Sequence, residues 1–181
     1  MNMLTTGLSL GGNRPIFEGL KKLNIHDLQA THPAIQFHTY WNKLLECNPS
    51  GIIERGRFNP MAVPKLLPWI SVLERTSDTD HEFQYRLAGS EVVNLLGEDP
   101  KGRLFGYSLP KTTRKLYEEY LLQTYSLQQA IFLTGKFQMP NGNTRHLELG
   151  IFPISSDGKS LDQIISITTP QIRYPQFQSK H

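Results

Sequence analysis

The segment 82–103, EFQYRLAGSEVVNLLGEDPKGR, limits the folds open to this chain more than any other stretch. Its first residues alternate, placing Phe83, Tyr85 and Leu87 on one face of a strand and Gln84, Arg86 and Ala88 on the other. Ala88-Gly89-Ser90 reads as a tight turn. Residues 91–96 then read as a short amphipathic helix, which Gly97 can end in a left-handed conformation. A strand running straight into a small helix, followed by a second glycine-containing loop at Asp99-Pro100-Lys101-Gly102, builds one wall of a cup. No catalytic signature lies in it.

The flanking periodicities fill in the rest. Residues 1 to about 30 mix Gly, Asn and Thr with isolated leucines and read as a partly flexible arm with an ordered piece near 17–28. Pro33 suits a first helical position with His32 or Thr31 as its cap. Ala34, Phe37, Trp41, Leu44 and Leu45 then recur at helical spacing until Asn48-Pro49-Ser50-Gly51. Asn59 caps a short helical segment, 61–67, which Pro68 limits. Strands are expected over 69–75, 82–88, 130–139, 144–154 and 161–169, with Asn141-Gly142 as a strong hairpin signal. The first strand places Trp69, Ser71 and Leu73 against Ile70, Val72 and Glu74, and the fourth turns Leu147, Leu149 and Ile151 inward. A longer helix, 110–127, carries Leu116, Tyr117, Tyr120, Leu121 and Tyr125 on its apolar side. The chain thus divides into an arm (1–31), a helical extension (32–68), a core (69–170) and a tail (171–181).

Several classes of function are disfavoured. The net charge of +3 comes from 19 basic and 16 acidic residues, and the densest basic spots, Lys21-Lys22 and Arg55/Arg57, are too sparse to track phosphates. No apolar run approaches the ~18 residues of a membrane helix. Neither nucleic acid nor membrane is an expected partner. A single cysteine, Cys47, excludes an internal disulfide framework and suits a reducing, cytoplasmic compartment. The six histidines lack metal spacing; His32 and His38, six apart, point to opposite sides of a helix. No G-x-S-x-G, P-loop or G-x-G-x-x-G occurs, and the acid pairs Asp78/Asp80 and Glu118/Glu119 read as solvated charges. An enzyme is not expected.

The order of elements, carried by MAVPKLLPWISVLE, FQYRLAGSEVVNLLG, the Lys101-Gly102-Arg103 loop and LELGIFPISSDGKSLDQIISIT, resembles a PAS domain. The likeness runs over about 32–170 and is nearest to the single PAS-like domains found mostly in alphaproteobacteria. It implies an α+β fold: a five-stranded antiparallel sheet in spatial order 2-1-5-4-3, helices on one face, and here an N-terminal helical extension. It also implies sensing of a small molecule or binding of a signalling partner, without catalysis. Within such domains a covalent flavin needs a cysteine beside the ring, whereas Cys47 lies in the N-terminal helix. Haem usually takes a histidine from the long helix, and 110–127 has none. Haem and covalent flavin are therefore disfavoured, and the ligand is left open.

A small apolar or mixed ligand would meet Tyr85, Leu87, Tyr107, Leu121, Tyr125 and Leu147, with Tyr117 as a further phenol in the cup. Phe37, Trp41 and Leu44 carry too much apolar surface to stay in water, and with Arg86 they make the expected interface, on the outer sheet face or in a homodimer. Arg86 has an ion pair with Glu148 or another outer-face acid as its alternative. Two readings follow: a small-molecule sensor acting on a signalling protein, or a ligand-free interaction module.

Overall fold

Antiparallel pairing runs unbroken through six strands: β1 (Ile16–Lys22), β2 (Ile70–Arg75), β3 (Phe83–Ala88), β4 (Ile131–Gln138), β5 (Thr144–Ile154) and β6 (Gln163–Pro170). The helices are α1 (Pro33–Glu46), α2 (Ser90–Leu96) and α3 (Lys111–Leu127). This computed structural model describes residues 16–48, 50–78 and 80–171. The first fifteen residues of the expected arm and nearly all of the expected tail lie outside the described residues.

The sheet order is β1-β4-β5-β6-β2-β3. Five of the strands keep the expected order, and β1 is added beyond β4, so the expectation of five strands is corrected to six. The alternation of β1 is hidden in the sequence by a bulge. The register slips one residue between Glu18 and Lys21, and Gly19 sits there at φ 61°. Phe17 and Leu20 are both buried although three apart, a spacing no regular strand gives.

Each sheet face carries its own core. On the concave face α2 and α3 close over Leu73, Phe83, Tyr85, Leu133, Leu147 and Leu149. On the outer face α1 covers Ile70, Phe132, Phe152, Ile165 and Ile167. Gly150 lets α1 come this close: a Cβ there would lie 3.0 Å from the Ala34 Cβ and 2.8 Å from the Phe152 ring. The helix begins as the sequence suggests. Pro33 opens it, and His32 Nδ1 accepts the Ala34 N–H at 3.1 Å.

Between α1 and β2 the expected helical segment is a pair of 3₁₀ turns, Pro60–Ala62 and Pro64–Trp69, with Asn59 accepting from the Met61 N–H. Pro60, Pro64 and Pro68 each withhold an N–H from any α-helical ladder. The second turn packs against Gly89, where α2 leaves β3. A Cβ on Gly89 would fall 2.2 Å from the Leu67 carbonyl oxygen, and its φ of −73° is ordinary. Gly89→Ala is therefore expected to cost about 1–3 kcal/mol through steric displacement alone. Chemical denaturation measures it, and an unchanged midpoint would mean that the turn and α2 do not touch.

Candidate functional site: a hydroxyl-bearing cavity beneath the long helix

Between the concave face, α2 and α3 lies a cavity of about 60 Å³. At roughly 15 Å³ each, it has room for on the order of four waters. Ser71, Leu73, Ser166 and Thr168 of β2 and β6 form part of its floor, with Leu147 and Leu149 of β5 beside them. Phe17 and Phe137 close the side toward β1, while Val92, Leu95 and Leu96 of α2 close the opposite wall. Tyr85, Phe105, Tyr107 and Tyr117 complete it. Phe105 is wedged between Tyr85 and Tyr117, with ring centroids at 5.6 and 4.9 Å.

Burial pushes the Tyr85 and Tyr117 phenols well above their usual range, so both stay neutral donors. Tyr117 and Ser166 both line the cavity, and the Ser166 Oγ lies 3.4 Å from Thr168 Oγ1. Tyr107 contributes only its ring. Its hydroxyl turns outward to Glu98 at 2.7 Å, and Arg103 sits 4.9 Å over the ring and pairs with Glu98 at 2.8 Å. Burial, then the Glu98 carboxylate, pushes the Tyr107 phenol up to about 12.

Three of the six expected pocket residues, Tyr85, Tyr107 and Leu147, line the cavity. Leu121 is fully buried and Tyr125 largely so, but both pack within the core away from the cavity walls, with Tyr125 6.0 Å from Phe83. Leu87 is a correction. The β2–β3 register slips after the Leu73–Tyr85 pair, so that Val72 faces Leu87 and Arg86 is the extra residue. The strand changes phase there, and Leu87 emerges 48% exposed on the outer side, in a groove with Ile70, Val72 and Glu74. Ser71, Ser166 and Phe105 were not singled out as site residues from the sequence. A serine sharing a strand face with Leu73 was the signal that could have found the floor.

The interface residues separate. Phe37 and Trp41 are buried beneath α1 on this chain's own sheet, Phe37 edge-on to Phe152 at 4.7 Å, and Leu44 is half-buried. Arg86 is exposed and pairs with Glu74 at 3.0 Å. Glu148 is engaged elsewhere: its Oε2 lies 3.1 Å from His32 Nε2, and its Oε1 accepts from Gln171. His32 Nε2 is also 3.2 Å from Thr169 Oγ1. Because Nδ1 accepts the Ala34 N–H, the ring proton belongs on Nε2, facing Glu148. Burial lowers the His32 pKa, against the opposing pull of Glu148.

The acid pairs also differ from expectation. Glu118 is buried, its Oε1 accepting the Glu82 N–H at 2.9 Å. Asp80 receives buried Arg114 at 2.6 Å and Lys111 at 2.9 Å, and these partners hold its carboxyl far below the usual range. Together they clamp the start of α3 to the β2–β3 loop. They turn away from the cavity, none of them among its walls. Among the described residues no group of three or more His, Cys, Asp or Glu stands ready to hold a metal, and no helix is long and apolar enough to cross a membrane.

No curated protein matches the chain. Similar solved structures include a light-oxygen-voltage domain at 13% identity, TM-score 0.47, over 62% of this chain and 84% of that one. The PAS domain of an HTR-like protein from Haloarcula marismortui is similar at 16% identity, TM-score 0.42, over 61% and 90%. A fungal LOV domain photoreceptor is similar at 14% identity, TM-score 0.43, over 74% and 90%. The family profile for the PAS domain matches residues 29–168, from the threshold of α1 through nearly all of β6, and the chain belongs to the PAS-domain family.

Proposed function

We propose that this domain is a non-catalytic bacterial signalling module that senses a small molecule in the cavity beneath α3. The observation that carries the reading is the cavity itself: an apolar space with hydroxyl-bearing residues among its walls, set against the buried core of the concave face. Small-molecule sites combine these features, though usually at about 300–1,000 Å³. The size here suits a small ligand, or a larger one admitted when α2 and the 104–109 loop shift. Output then passes through the outer face to a separate signalling protein. Native mass spectrometry of the purified full chain is expected to show a bound small molecule, or thermal unfolding to rise on adding one. A Leu95→Trp variant, which fills the cavity, is expected to abolish either signal. A ligand that binds the filled variant equally well would sink the reading.

A second reading is favoured by the groove where Leu87 emerges, between β3 and the 3₁₀ turns, with Arg55, Arg86 and Lys101 at its rim. In that reading the domain is a ligand-free interaction module that docks a partner protein or a second copy there. Light scattering across a concentration series tests the homodimer. A dimer lost on Leu87→Glu supports it, and a monomer at all concentrations removes it.

A further inference from the structure

Resting on the sensor reading, we infer that the cavity takes a neutral molecule, a short carbon skeleton bearing a hydroxyl or carbonyl oxygen, and rejects ions of the same size. Among the described residues, no Asp, Glu, Lys, Arg or His lines it. The nearby charges are engaged outside it: Glu98 with Arg103 beyond Tyr107, Arg114 with Asp80, and Glu118 with the Glu82 N–H. An ion entering would leave water without a countercharge, which costs far more than placing a neutral polar group there.

The polar groups that remain are uncharged and lie together. Ser71 and Ser166 face each other across the β2–β6 pair, and Thr168 follows Ser166 on the same face of β6. Tyr117, on α3, lines the same cavity opposite this row. Tyr85 of β3 lines the cavity as well, and burial keeps its phenol neutral. A hydroxyl both donates and accepts, so this cluster satisfies either a hydroxyl or a carbonyl oxygen. Leu95, Leu147 and Phe137 meet the carbon skeleton. A volume of about 60 Å³ keeps that skeleton short.

The test uses four probes of one size on the full chain: 1-butanol, 2-butanone, butyrate and butylammonium, with benzene as an apolar control. Calorimetry and thermal unfolding at neutral pH report binding. Saturable binding of butanol or butanone is expected, with at least tenfold weaker response to the two ions. Tyr85→Phe and Ser166→Ala, two variants that can each fold without the other, are expected to weaken the neutral probes about fivefold, the loss of one hydrogen bond. They should leave benzene unaffected. Butyrate or butylammonium binding as tightly as butanol overturns the ligand class and leaves the sensor reading standing. Benzene binding like butanol, with neither variant changing butanol, overturns the role of the hydroxyls in the same way. Failure of all five probes, with no co-purified molecule, overturns both this inference and the sensor reading.

Discussion

Phe37→Ala is expected to destabilise the protein by about 3–5 kcal/mol, the range for removing a fully buried aromatic ring. Phe37 is 1% exposed and sits at the centre of the outer core, edge-on to Phe152 and within 6.0 Å of the Phe58 and Tyr40 ring centroids. The space it fills cannot collapse easily. Gly150 and Ala34 already bring the helix as close to β5 as backbone allows. Urea unfolding followed by far-ultraviolet circular dichroism measures the loss. A cost below about 1 kcal/mol would show that α1 is not docked on the sheet in solution. Removal of residues 1–47 makes the same point more bluntly: the stripped outer face should lower solubility or change the subunit number. A truncated chain that stays soluble and unchanged in size would make the helix a dispensable arm.

His32→Ala is expected to cost about 3 kcal/mol, combining a lost helix cap with a lost hydrogen bond to a buried carboxylate. The same residue predicts a pH dependence. In the folded chain Nδ1 must stay unprotonated to accept the Ala34 N–H, and burial disfavours the imidazolium further; Glu148 opposes both and does not prevail. The folded pKa therefore lies below the ordinary value of 6.5. Below 6.5 the unfolded chain binds a proton that the folded chain refuses. The contribution of His32 is fully present above about 6.5 and is lost as pH falls from there through the folded pKa. The charged or titratable group facing the ring, among the described residues, is Glu148 of β5; Thr169 of β6 and the backbone of α1 supply the other contacts. Melting temperature measured from pH 8 to 5 should fall through this window, and His32→Asn, which keeps a capping oxygen and does not titrate, should flatten that fall. An unchanged slope in His32→Asn would show that His32 does not titrate with folding.

The elements that were legible in the sequence are those whose signal is local. Asn141-Gly142 fixed a hairpin, Pro33 and Asn48 bracketed α1, and β5 begins and ends as its alternation required. Gly97 takes the left-handed conformation that ends α2, at φ 81°. The candidate site was legible only in part, because lining a cavity depends on phase as well as element. Tyr85 and Leu147 lie on uninterrupted stretches of strand and point as alternation says. Leu87 lies two residues beyond Tyr85, but the Arg86 bulge intervenes and reverses its face. Tyr107 meets the cavity with its ring and not its hydroxyl, since its partner Glu98 belongs to the preceding loop.

By itself the sequence determined the succession of strands and helices from α1 onward and the antiparallel hairpins, which rest on residues close together along the chain. Tertiary structure alone decided that 16–22 closes the sheet beyond β4, that α1 covers the outer face, and that Ser71, Ser166 and Tyr117 meet beneath α3. Each of these joins residues tens of positions apart. Their burial, register and pairing follow from which surfaces water leaves first when the sheet folds, and a single bulged residue is enough to redirect them.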